Sequence, residues 1–174
     1  MNRTGLLFRS IVCTALLSAH VVSAQQSAVT STAPIPSAIL AAKTIFLVNA
    51  ASDSGMFPSP FTGDPDRAYN QFYTALKASG RYELVADPSD ADLVLELHLQ
   101  NTPNFTSSAK PAPVFPVFCL KIFDKKSHFM LWERSEWIDF SILQKTHDRN
   151  FDHALTVLLS DFLALSGKAQ PSSK

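Results

Sequence analysis

Between Asp92 and Gln100 the chain alternates strictly. Leu93, Leu95, Leu97 and Leu99 are separated by Val94, Glu96, His98 and Gln100. A period of two puts the four leucines on one face of a β-strand and a mixed, mostly polar set on the other. Burial of each leucine contributes about 1.5–3 kcal/mol, which makes this strand the expected centre of the core. Thr44 to Asn49 is a continuous apolar run, too short for a helix and rich in branched residues. It reads as a buried, central strand. Ala51 to Gly63 is a long loop carrying Gly55, Pro58, Pro60 and Gly63.

Asp64-Pro65 opens a helix, with Asp64 as cap and Pro65 in the first helical position. Its stripe is Ala68, Phe72, Ala75 and Leu76, flanked by Tyr69 and Tyr73, and Gly80 closes it. Arg81 to Val85 is a short strand, and Asp87 to Asp90 a tight turn. Asn101 to Pro116 holds four prolines and reads as a loop. Val117 to Phe123 and His128 to Ile138 form a hairpin around Asp124 to Ser127. The facing of the second arm stays open, because Met130 and Trp132 compete with Phe129 and Leu131. Asn150 caps a closing helix whose stripe runs Phe151, Ala154, Leu155, Leu158, Leu159, Phe162 and Leu165 up to Gly167.

The element order is β-α-β-β-β-β-α. This predicts an α+β domain, a two-layer sandwich with a five-stranded mixed sheet and both helices on the leucine face. The first two strands, joined through a helix, should be parallel. The short links that follow favour antiparallel neighbours.

The flanks differ in composition. Residues 1–24 have the pattern of a signal peptide: Arg3 and Arg9, an apolar run from Ile11 to Leu17, and Val22-Ser23-Ala24 for cleavage. The run is short of the ~20 apolar residues of a membrane span. Residues 25–42, rich in Ser, Thr, Ala and Pro, read as a disordered tether in which Ser37 to Ala42 can form a helical turn. Residues 43–167 are the domain and 168–174 a disordered tail. These features place the protein in the periplasm or outside the cell. The residues before Cys13 do not match a lipidation box, so no lipid anchor is expected.

The formal charge is zero. Loss of the first 24 residues removes Arg3 and Arg9 and leaves a net charge of −2, unlike a nucleic-acid-binding domain. Cleavage also removes Cys13. Cys119 is then the one cysteine, either buried and inert or an odd thiol able to pair between molecules.

Candidate chemistry is sparse. If the first two strands are parallel, Asp53, Asp64, Asp66, Asp87 and Asp90 gather at one end of the sheet, with Lys125 and Lys126 arriving to balance them. Oxygen ligands in that number suit calcium, but they match no compact binding loop. Asp64, Asp66, Asp87 and Asp90 also have helix-start and turn roles to fill. His98 lies between Glu96 and Gln100, and a zinc site needs more converging ligands than it has. No Gly-x-Ser-x-Gly elbow, phosphate loop or His-Glu-x-x-His helix occurs, and the chain contains five glycines. No cofactor is implied.

Several phrases carry a resemblance. Pro65 to Asn70, Ala91 to Leu95 and Leu131-Trp132 resemble shared segments of a family of small secreted bacterial proteins of unknown function. The likeness runs over roughly Lys43 to Leu165. The architecture it implies is similar to the amino-terminal domain of TolB and to the curli-secretion lipoproteins. That resemblance implies an envelope interaction domain and brings no catalytic residues with it.

The sheet face opposite the leucines is the expected partner surface, with Glu96, His98, Gln100, Lys121 and Phe123 on it and Trp137 at the hairpin's end. Trp137 and Phe140 have a second reading, as residues packed under the closing helix. The function expected is a non-enzymatic envelope domain that contacts another protein, and the same features admit a homo-oligomer. The alternatives are a small-ligand or cation-binding protein using the 51–63 loop, with Phe57 and Phe61 lining its pocket, and a hydrolase of unrecognised type.

Overall fold

The computed structural model describes residues 34–103 and 114–167. The expected signal peptide at 1–24, the part of the expected tether at 25–33, the proline-rich stretch at 104–113 and the expected tail at 168–174 lie outside the described residues. The elements are α1 (Ser37–Ala41), β1 (Thr44–Ser52), α2 (Arg67–Ala78), β2 (Glu83–Leu84), β3 (Leu93–Pro103), β4 (Val114–Asp124), β5 (Met130–Trp137) and α3 (Gln144–Gly167).

The five strands form one mixed sheet in the order β2-β1-β3-β4-β5, so the alternating leucine strand lies at its centre. All four leucines are buried, at 0–2% exposure. They share one cluster with Ile45 and Leu47 of β1, Phe118, Leu120 and Ile122 of β4, and residues of all three helices. The two-layer α+β sandwich is therefore the observed fold, with α1 as a third, short helix. In α2, Ala68, Phe72 and Leu76 are buried one turn apart. The helix starts two residues later than its sequence suggests: Asp66, not Asp64, holds the N-cap position and makes no side-chain cap bond, while the Asp64 carboxylate accepts the Asp66 N–H at 2.9 Å in the turn before Arg67.

The structure corrects four further local expectations. First, β2 is not an antiparallel neighbour of β3. Both lie beside β1 and run parallel to it. The Asp92 carboxylate holds the arrangement at its start by accepting the Lys43 and Thr44 N–H groups, at 2.8 and 3.1 Å. Second, residues 34–42 are not all tether, since α1 places Ile39 in the core at 0% exposure.

Third, β3 and β4 extend into the presumed loop, pairing Asn101 with Pro116, Thr102 with Phe115 and Pro103 with Val114. Pro116 brings no N–H, but its carbonyl accepts from Ile138 at 3.1 Å. Fourth, α3 starts at Gln144 rather than after Asn150. The Ser141 hydroxyl accepts the Leu143 N–H at 3.2 Å ahead of the helix, and the Asn150 side chain donates to the Asp139 carbonyl instead of capping.

The facing of β5 is also settled. Trp132 pairs with Ile122, so it lies on the helical side. A register shift next to Phe123, which pairs with Met130, puts Met130 on the other side.

Candidate functional site

The β3–β4–β5 register arranges the face opposite the leucines in cross-strand rows. Val94, Phe123 and Met130 form the row at one end. Glu96, Lys121 and Glu133 form the next, then His98, Cys119 and Ser135, and finally Gln100, Val117 and Trp137. The six expected partner-surface residues do share one face, but Phe123 and Trp137 lie at opposite ends of it, with polar rows between. Lys121 Nζ is 3.5 Å from Glu96 Oε1. This half-exposed pair sits directly across two strands, the arrangement in which opposite charges are mildly stabilising.

His98 Nε2 is 3.3 Å from Asp53 Oδ1, and Asp53 Oδ2 accepts the Asn101 N–H at 2.8 Å. Cys119 lies directly opposite His98 in register, yet its thiol donates to Glu133 Oε1 at 3.2 Å. Burial pushes the Cys119 thiol up, and the Glu133 carboxylate pushes the same way. A nucleophilic cysteine needs the opposite treatment. Cys119 is buried and free, as in the inert reading of the sequence.

The five aspartates do not converge. Asp53, Asp64 and Asp66 lie where β1 ends, and Asp66 Oδ1 accepts from the Asn49 amide at 2.7 Å. Asp87 and Asp90 lie where β1 begins. There the Asp90 carbonyl accepts from the Thr44 hydroxyl at 3.0 Å, and Lys125 donates to the Ser89 carbonyl. The cause is the brevity of β2, whose two residues leave the following turn near the starting end of the sheet. Asp87 caps that turn by accepting the Ser89 N–H at 2.7 Å, and the Ser89 hydroxyl together with that N–H holds its carboxyl below the usual carboxylate range. Among the described residues, no group of three or more His, Cys, Asp or Glu is placed to hold a metal ion.

The 51–63 loop is anchored in the core. Met56 and Phe61 are 1% and 0% exposed. The Phe61 and Phe151 ring centres are 5.0 Å apart, and Phe57 packs edge-on to Phe151. Phe61 is thus committed to the interior and does not line an open pocket.

A different surface stands out. Trp137, Phe140, Ile142 and Leu143 are 52, 71, 91 and 69% exposed, while Ile138 between them is buried. Neither Trp137 nor Phe140 is buried under the closing helix, although Phe140 stands edge-on to His147 of α3 with ring centres 5.4 Å apart; Ile138 takes the buried place. These four side chains lie where β5 ends and α3 begins. The Gln100–Val117–Trp137 row joins this tip to the sheet face. In the sequence, Asp139-Phe-Ser-Ile alternates like a continuation of the strand, so no local pattern marks Phe140, Ile142 and Leu143 as exposed.

Among the described residues no helix is long and apolar enough to cross a membrane. The fold is an α+β two-layer sandwich on a five-stranded mixed sheet. A DUF4136 family protein from Bacteroides thetaiotaomicron is similar to this chain at TM-score 0.50 and 14% identity, over 75% of this chain and 92% of that one. Protein XCC0632 from Xanthomonas campestris, of the DUF330 family, is similar at 0.43 and 13%, over 70% and 81% of the two chains. TolB from Acinetobacter baumannii is similar at 0.38 and 13%, over 72% of this chain and 28% of that larger one. The resemblance read from the sequence is met at the level of fold. No protein-family model matches the sequence, and no curated protein does.

Proposed function

We propose that this protein is a non-enzymatic domain of the bacterial envelope that works by contact with another protein. In this reading it is exported by cleavage after residue 24, not lipidated, and folded over residues 43–167 with α1 attached. The observation that carries the reading is the run of exposed apolar side chains at Trp137, Phe140, Ile142 and Leu143. Contiguous apolar surface rimmed by polar groups marks a contact site, and aromatic residues are enriched at the centres of such sites. The adjoining rows, with Gln100, His98, Lys121 and Glu96, supply the polar rim, and Phe123 lies beyond them.

Photocrosslinking in the native envelope tests this. A photoreactive residue at position 142 should trap a discrete partner that the same residue at exposed position 83 does not. Phe140→Asp/Ile142→Asp should abolish recovery of that partner, and Phe123→Asp/Trp137→Asp should weaken it. Identical products from positions 142 and 83, or none from 142, would overturn the reading.

A further inference from the structure

β1 is nine residues long and β2 only two. Pairing between them covers Thr44 with Glu83 and Ile45 with Leu84. The direction of the remaining β1 backbone groups follows from bonds at its start. Asp92, on the β3 side, donates its N–H to the Thr44 carbonyl at 3.0 Å. Val85, on the β2 side, donates to the Ile45 carbonyl at 3.0 Å. Backbone groups of successive strand residues point to opposite edges. Phe46 and Val48 therefore turn theirs toward β3, and Leu47 and Asn49 turn theirs toward the space beyond the end of β2. Among the described residues, the N–H and C=O groups of Leu47 and Asn49 have no backbone partner on that side.

Such a row is a template for another strand. A groove of about 620 Å³ runs along it, walled by Tyr69 and Tyr73 of α2 and by Leu84 of β2 with Val85 and Ala86 after it. The two tyrosine rings are 6.0 Å apart. No charged side chain lines the groove.

We infer that this edge receives an extended, uncharged apolar segment of a protein partner, added beside Leu47–Asn49 in line with β2. Two features specify the occupant. Extended backbone presents donors and acceptors at the two-residue spacing of Leu47 and Asn49, which is the basis of recognition by strand addition. The uncharged walls favour apolar side chains, because a charge placed there is desolvated with no partner. The register shift between Asn49 and Ser52 ends the regular edge, which leaves room for about four residues. The site is distinct from the Trp137–Leu143 tip, and either can fail without the other.

Amide hydrogen exchange on the mature protein provides the test. The probe is the capped peptide Lys-Val-Thr-Val-Thr-Val-Lys at millimolar concentration. In the free protein the Leu47 and Asn49 amides should exchange quickly, and the Phe46 and Val48 amides slowly. The peptide should slow Leu47 and Asn49 by about tenfold or more and leave Phe46 and Val48 unchanged. N-methylation of the peptide on the edge facing β1 should abolish the effect, and N-methylation on the alternate residues should preserve it. Tyr73→Lys should weaken binding while α2 keeps its helical signal. Protection of Leu47 and Asn49 in the free protein would overturn the inference, since a segment of the chain itself would then hold the edge. So would no protection by the peptide, or equal binding by the two methylated forms.

Discussion

Arg67 on α2 reaches α3 and places its Nη1 2.6 Å from Asp148 Oδ1, with the guanidinium 4.4 Å from the centre of the Phe151 ring. The same side chain donates to Asp152 Oδ1 at 2.7 Å and to the Thr62 carbonyl at 2.9 Å. One guanidinium thus fastens both long helices and the end of the 51–63 loop. Burial lowers the Arg67 pKa, but the bonds and charges of Asp148 and Asp152 outweigh it and the net shift is upward.

Arg67→Ala should destabilise the domain by about 1–2 kcal/mol, because the partly buried Asp148 and the Thr62 carbonyl lose a charged donor, while the half-exposed Asp152 is taken up by water. Arg67→Lys should recover less than half of that loss, since an ammonium lacks the planar fork that reaches both carboxylates. Urea denaturation of the three proteins measures both. A loss under about 0.5 kcal/mol for Arg67→Ala would show the cluster to be an ordinary surface pair.

The same cluster sets a pH dependence. Burial acts to raise the Asp148 pKa, but the Arg67 hydrogen bond and those from Thr62 and Gln144 prevail and hold it at about 2, against an ordinary 3.8. A carboxylate depressed in the folded state stabilises fully above its unfolded pKa and loses that contribution as pH falls through the folded one. Wild-type stability should therefore fall between about pH 4 and pH 2 more steeply than that of Asp148→Asn. Parallel acid profiles for the two proteins would refute the assignment.

Two aromatic substitutions should separate core from surface. Phe61→Ala empties a fully buried site and should cost about 3–5 kcal/mol. Phe140→Ala, at an exposed site, should change stability by less than about 0.5 kcal/mol. Comparable losses at the two positions would mean that the tip is packed in solution.

Cys119 should resist labelling by a thiol reagent in the folded protein and react promptly in urea, by a margin of about tenfold or more. Glu133→Gln removes a neighbouring charge that raises the thiol pKa. It should move the onset of native-state labelling to lower pH. An unchanged onset would leave burial alone responsible for the protection.

How much of this was legible in the sequence varies by element. The leucine alternation fixed the facing of β3, because a face buried along its length leaves one register open. The α2 stripe was equally local, with Ala68, Phe72 and Leu76 buried as expected, whereas the helix starts at Arg67, two residues beyond the Asp64-Pro65 signal. The start of α3 was also missed, since Gln144 to Asn150 is mostly polar and its position depends on the Ser141 hydroxyl and on His147 being buried. The split of the aspartates was hidden for a different reason. It follows from β2 stopping after two residues, and strand length on an edge is decided by tertiary contacts rather than by local pattern. The Arg67 cluster joins residues about eighty positions apart and left no short-range trace. The exposed tip was half visible: Trp137 and Phe140 stood out as aromatic residues near the hairpin's end, whereas Ile142 and Leu143 fell in the unassigned stretch before the closing helix.

The lengths of β3 and α3 have a geometric consequence. Eleven strand residues and twenty-four helical residues each span roughly 36 Å. The chain enters the sheet at Thr44, where Asp92 clamps it, and the apolar tip lies at the far end of the same two elements. Whatever holds residue 43 and whatever touches Ile142 are therefore kept about 30 Å apart or more. A binding event at the tip can be sensed at the entry end only through the elements that run between the two, β3, β4 and α3 among them, and not by side chains touching across the gap.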